Sequence, residues 1–216
     1  MRTKNLSVTR LDHLNICQKV KSILKKYKKN KTFVVAVSGG PDSLALVSII
    51  KNLIQENKYK FFFAIVDHNL RKNSAGEALS VKRLLSKYSI NLTILKNRKK
   101  IDKNIQKNAR EIRYNLLEKF CKKKKAKSLI VAHHQDDQVE TFLMRLSRGS
   151  GVEGLSSMHE MTTLKQGTSL IRPLLDFKKN ELISITKYTF NKFFKDPSNK
   201  NRKFLRTNIR ELKKNL

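Results

Sequence analysis

The 216-residue sequence predicts an α/β fold, a doubly wound parallel sheet with helices on both faces. Three observations lead there. Short runs rich in β-branched and aromatic residues alternate four times with longer amphipathic segments. Each connecting segment is long enough for the crossover that parallel strands need. Polar and glycine-rich clusters stand directly after two of the runs, where sheets of this type place their ligands.

Taken in order, residues 1–30 are expected to form an N-terminal helical segment. The first strand is Phe33 to Val37, followed by a helix from Ser43 to Asn57. The second is Phe61 to Val66, with a helix from Ser74 to Tyr88. The third is Asn91 to Leu95, with a helix from Ile105 to Lys124. The fourth is Ser128 to Ala132, with a helix from Gln135 to Arg148. Gly149, Gly151 and Gly154 close that helix and open a loop. Ser169 to Leu174 reads as a further short strand, Lys178 to Phe190 as a helix, and Asp196-Pro197-Ser198-Asn199 as a turn. The division expected is 1–30, a sheet-bearing domain over 31–175 and a helical C-terminal segment over 176–216.

The chain carries 48 Lys+Arg against 17 Asp+Glu, a net charge of +31, more than solubility requires and suited to a polyanionic partner such as nucleic acid. A lysine-rich solvated surface without a partner is the competing reading of charge alone. Cys17 and Cys121 stand far apart with no C-x-x-C pair, so cysteine builds neither a zinc site nor a dithiol, and a reducing cytoplasm fits. The most apolar runs fall far short of the roughly 20 residues of a membrane span. The N-terminus has no apolar stretch before a small-residue cleavage site, so a cytoplasmic protein without a membrane association is expected.

The first strand runs into Ser38-Gly39-Gly40-Pro41-Asp42-Ser43 and then an apolar helix. Two glycines allow close backbone approach to an anion, Pro41 suits a first helical turn, and the free N–H groups at the helix start favour negative charge. Asp42 would repel a phosphate unless Mg²⁺ lies between them or it caps the helix. The loop lacks the lysine of the G-x-x-x-x-G-K-[ST] type. The fourth strand ends in His133-His134-Gln135-Asp136-Asp137-Gln138-Val139-Glu140-Thr141. Val139, Phe142, Leu143 and Leu146 repeat at helical spacing and are expected to form a buried stripe, leaving Asp137 and Glu140 toward the crevice. As a plainer role, Asp136 and Asp137 would complement their own helix terminus.

The hexapeptide Ser38 to Ser43 resembles the S-G-G-x-D-S signature of the PP-loop ATP pyrophosphatase superfamily, which implies the adenine nucleotide alpha hydrolase-like fold and transfer of AMP to a carbonyl-type oxygen. The stretch His133 to Met158 resembles the A-H-H-x-D-D-Q-x-E-T block of tRNA(Ile)-lysidine synthetases. So do Asp67-His68-Asn69-Leu70-Arg71 with Ser74, Glu77 and Ala78, Ala109-Arg110 with Arg113-Tyr114, Arg172-Pro173-Leu174-Leu175, Asp196 to Asn199, and Arg206 with Asn208-Ile209-Arg210. The likeness spans about Thr32 to Leu212. Long members of that family continue into tRNA-binding domains, so a short form or a truncated chain is expected here.

The resemblance implies a ligase that joins free L-lysine to C2 of the wobble cytidine of tRNA(Ile) with a CAU anticodon, using ATP and Mg²⁺. It implies that Ser38, Gly39, Gly40, Pro41, Asp42 and Ser43 hold phosphates and that Ala36 and Asp67 lie near adenosine. Arg113 and Arg206 are expected to stabilise the phosphates in flight, a guanidinium being able to grip two oxygens. Asp137, with His133 nearby, is expected to receive the lysine ammonium, since only a minute fraction of a group with pKa about 10.4 is nucleophilic at neutral pH. His134 reads as structural as readily as catalytic. Another PP-loop tRNA-modifying enzyme and a non-catalytic basic RNA-binding module are the alternatives. A thiolase would want paired cysteines, and a glutamine-fed synthetase an extra domain. A dimer is compatible with the sequence.

Overall fold

A computed structural model describes residues 3–27, 31–54, 59–71, 73–99, 101, 103–151, 156–194 and 207–209, with side chains from residue 13 onward. The elements are α1 (Thr3–Lys26), β1 (Thr32–Val37), α2 (Pro41–Ile54), β2 (Lys60–Asp67), α3 (Ser74–Ser86), β3 (Leu92–Lys96), α4 (Ile105–Lys123), β4 (Ser128–Ile130), α5 (Gln135–Leu146), β5 (Met161–Thr163), β6 (Ser169–Ile171) and α6 (Lys179–Phe190).

The strands form one six-stranded sheet in the order β3-β2-β1-β4-β6-β5. All neighbours are parallel except β5 and β6, which pair antiparallel with Met161 opposite Ile171. The short strand β5 has no counterpart among the expected elements: three residues, Met161 to Thr163, with Met161 42% exposed, carry too little apolar alternation to announce a strand.

From β1 the chain steps outward through β2 to β3, then returns across the sheet to β4. That reversal splits the helices between the faces. Val35, Val37, Phe63 and Ile65 point into the larger core with Ile16, Val20 and Leu24 of α1, Leu44 and Val47 of α2, Val81 and Leu85 of α3, and Ile185 of α6. Val34, Ala64 and Leu129 point the other way, against Leu117, Phe120 and Cys121 of α4. The alternation within β1 follows the two-residue pleat of a strand buried on both sides. The carboxyl ends of β1 and β4, which are neighbours in the sheet, flank the switch point.

Candidate active site

The turn leaving β1 is held by its own hydroxyls. Ser38 N–H donates to Ser43 Oγ at 3.1 Å, the two hydroxyl oxygens are 3.1 Å apart, and Ser43 Oγ donates to Gly40 O at 3.0 Å. Gly39 has φ +81°, and a Cβ there would lie 2.5 Å from Val81 Cγ2, so both backbone and space demand glycine. Gly40 differs, because a Cβ there would meet only Ser38 Oγ at 3.5 Å. Its missing side chain leaves room toward the crevice. Phe194 N–H donates to Gly39 O at 2.9 Å and Thr186 Oγ1 to Pro41 O at 2.6 Å, so α6 and the segment after it brace the turn from behind.

Opposite stands the start of α5. His134, at the N-cap position, is 1% exposed, with Nε2 3.5 Å from Asp42 Oδ2 and 3.5 Å from Asp137 Oδ2, and Nδ1 3.7 Å from Asp136 Oδ2. Its N–H donates to Asp137 Oδ2 at 3.2 Å, closing the first turn. Asp136 Oδ2 accepts the N–H of Lys179 at 3.1 Å, so it caps the start of α6 rather than its own helix. Burial works against charge on the His134 ring, as does Lys179. The hydrogen bond to Asp42 and the charges of Asp137 and Asp42 outweigh both and hold its pKa above the usual histidine value.

The expected orientation of α5 is corrected in one respect. Asp137 and Glu140 are buried, at 8% and 3% exposure, as a crevice-facing pair should be. The apolar stripe is not buried: Val139, Phe142 and Leu146 are 38%, 43% and 51% exposed. The rotation of the helix is set by polar anchors, namely the His134 contacts and the bond from Met158 N–H to Gln138 Oε1 at 2.8 Å. A buried carboxylate without its partners costs more than an exposed leucine, so the acids take the inner face.

Asp67 ends β2 buried, and its Oδ1 accepts the N–H of Asn69 at 3.0 Å, tightening the loop that leaves the strand. Ala36, next to the end of β1, pairs in register with Ala64. Buried Asn97, which sequence reasoning passed over, ties the β2 and β3 ends together: its N–H donates to Asp67 O at 2.8 Å and its Nδ2 to His68 O at 3.1 Å. Arg113 lies half-buried on α4, its guanidinium 5.2 Å from the centroid of Tyr114, with Arg110 at 5.0 Å from the same ring. His133 stands half-buried after β4. Arg206 and the Asp196 to Asn199 turn lie outside the described residues. The structure thus joins Asp42, the loop serines and Asp137, and it promotes His134 from an ambiguous neighbour to the residue that links them. The adjacent histidines were the only signal, and spacing alone could not say which one turned inward.

A glycine-bearing turn at a helix start, with carboxylates opposite it across a switch point, is the arrangement of a nucleotide-handling α/β domain. The chain belongs to the PP-loop domain family, which matches residues 13–216. Among curated relatives it is 43% identical over 188 residues to the tRNA(Ile)-lysidine synthase of Wolbachia pipientis wMel, covering 86% of this chain and 43% of that one. It is 42% identical over 189 residues to that of Rhodopseudomonas palustris, covering 86% and 54%. The chain therefore spans about half the length of the curated relatives it matches. Among solved structures, the U34-tRNA thiolase NcsA from Methanococcus maripaludis superposes with a TM-score of 0.78 at 17% identity, over 96% of this chain and 74% of that one, a likeness of fold.

Proposed function

We propose that the chain carries the catalytic domain of a tRNA(Ile)-lysidine synthase, which adenylates the wobble cytidine of tRNA(Ile) with ATP and then joins lysine to it. The observation that supports this reading best is the meeting of Asp42 and Asp137 on one buried imidazole. One acid belongs to the phosphate loop and the other to a separate helix, so a nucleotide and a second, cationic substrate can be held side by side.

An amide-like oxygen at C2 is a poor leaving group. In the first step that oxygen attacks the α-phosphorus of ATP, the bond to pyrophosphate breaks, and the oxygen becomes part of an AMP ester. In the second step the lysine Nε attacks C2, AMP departs with the oxygen, and the proton lost from nitrogen needs a base. Asp137, with His133 nearby, fits that role because a buried carboxylate holds an ammonium group and can accept its proton. The Ser38 to Ser43 turn offers N–H and hydroxyl donors to the pyrophosphate. Arg113, and Arg206 by analogy, would offset charge on phosphate oxygens.

Asp42 Oδ1 is buried with no hydrogen-bond partner, which suits a divalent cation shared with phosphate oxygens. Mg²⁺ there would neutralise phosphate charge. A thiolase reading lacks support, since Cys17 packs on one face of the sheet and Cys121 is buried on the other.

The test is ATP-dependent incorporation of labelled lysine into a tRNA(Ile) transcript with a CAU anticodon, beside Asp42→Ala. Incorporation lost in the variant supports the ligase. AMP release without lysine transfer would keep the nucleotide chemistry and overturn the substrate.

A further inference from the structure

The amino-terminal edge of the sheet lies at the other pole from the Gly39-Gly40 turn, roughly 20 Å away along the six residues of β1. Lysines from three separate segments converge there. Lys31 precedes β1, Lys60 opens β2 and Lys127 precedes β4, and these three strands are neighbours in the sheet. The lysine run 122–125 spans the end of α4, directly before Lys127. Their backbones are fixed. Lys60 N–H donates to Lys31 O at 2.7 Å and Ser169 N–H to Lys127 O at 2.9 Å, while Lys125 N–H to Lys122 O at 3.0 Å and Ala126 N–H to Cys121 O at 2.9 Å close the turn out of α4. All these side chains are exposed except that of Lys124, which is half-buried.

Two of the ammonium groups share one ring: Lys124 Nζ lies 4.6 Å and Lys60 Nζ 5.5 Å from the centroid of Phe62. The ring attracts each cation, but no acid offsets their mutual repulsion, since none of the edge lysines forms an ion pair among the described residues. Lys19, Lys26 and Lys165, by contrast, each have a carboxylate. Complementing a helix terminus accounts for cations at Lys122 and Lys123, but Lys31, Lys60 and Lys127 end no helix. Positive charge also leads from this edge to the catalytic one. α4 starts beyond the carboxyl end of β3 and runs back past exposed Lys107, Arg110 and Lys119, and Glu111, its one exposed acid, is held by Lys165.

We propose that the amino-terminal edge is a second RNA-binding surface, which holds phosphates of a tRNA beyond its anticodon stem-loop while the loop occupies the crevice at the opposite edge. A phosphate backbone fits better than a compact anion, because the lysines are spread over three strand ends instead of gathered round one cavity. That the RNA is a tRNA rests on the lysidine-synthase reading; the polyanion surface does not.

The test compares a full-length tRNA(Ile) transcript with its isolated anticodon stem-loop in anisotropy titrations, using the intact protein and the triple variant Lys60→Gln, Lys124→Gln, Lys127→Gln. The variant should bind the tRNA roughly tenfold more weakly, with a slope of log K against log salt shallower by about one for each lysine in phosphate contact. Its affinity for the stem-loop should stay within about twofold, since that RNA leaves the amino-terminal edge empty. Because Lys124 packs on Phe62, the double variant Lys60→Gln, Lys127→Gln provides a second reading in which only exposed side chains change, with a smaller loss in the same direction. The three corresponding arginine substitutions should retain the slope. Equal weakening toward both RNAs would overturn the proposal, as would an unchanged slope for both, which would leave these lysines merely solvated. If the chain does not join lysine to tRNA(Ile), an unrelated folded RNA decides: weaker binding and a shallower slope in the variants keep the surface while the ligase reading falls, and no binding of any RNA removes both.

Discussion

At Gly39 and Gly40 two adjacent residues of one type serve different ends. Gly39→Ala forces a left-handed backbone on a side chain and drives a methyl into Val81. It should destabilise the protein by about 2–4 kcal/mol in urea unfolding, from backbone strain plus overpacking. Gly40→Ala meets only an ordinary contact and should leave stability within about 0.5 kcal/mol while weakening ATP binding, read by calorimetry. Equal destabilisation by both would refute the distinction. His134 adds a pH signature. Its folded pKa is raised, so the stability it contributes is full below the unfolded value near 6.5 and fades as pH rises through the folded value. In buffer without Mg²⁺, the gap in unfolding free energy between the intact protein and His134→Gln should therefore be wider at pH 6 than at pH 9. A gap that does not change with pH would show that the imidazole titrates alike in both states. Residue identity alone marked the glycine pair as a phosphate turn, but which glycine was indispensable to the fold depended on Val81, 42 positions further along.

Among the elements, α5 carries the clearest lesson. Its apolar repeat fits a buried stripe, yet Val139, Phe142 and Leu146 face outward while Asp137 and Glu140 face in. Phe142→Gln and Leu146→Gln should each change stability by no more than about 0.5 kcal/mol. Leu117→Ala on α4, where the leucine is 1% exposed, should cost about 2–5 kcal/mol. Denaturant titration of the three variants checks this, and a cost above 2 kcal/mol at Phe142 would put the stripe back inside. On α4 and α6 the buried polar groups, Glu118 and Thr186, lie among the buried apolar residues of the same helix, so polar contacts and apolar face do not compete. For α5, the polar face meets Asp42 through His134, and a few specific polar contacts outweigh a modest apolar area. β5 was missed for a related reason: three residues at the edge of the sheet are ordered by pairing with β6, not by their own pattern.

Over the whole molecule, the net charge of +31 sets the expected behaviour toward RNA. Affinity for tRNA should fall steeply and linearly in log K against log salt, with a slope that counts the phosphates neutralised. A nearly flat slope in filter-binding or anisotropy titrations from 50 to 300 mM salt, roughly the range over which such contacts are lost, would mean the lysines serve solubility. The sequence by itself determined the parallel α/β sheet, five of its six strands with the helices that follow them, the phosphate turn and the acid-bearing helix start, because each is written in local periodicity and in residues whose chemistry is local. Tertiary structure alone decided the rest: that His134 joins the two acids, that Asp136 caps α6, that α5 turns Val139, Phe142 and Leu146 outward, and that Arg172 is buried with no ion pair among the described residues. Each of these depends on groups far apart in the chain meeting away from water, where an unpaired charge is costly enough to override the local pattern.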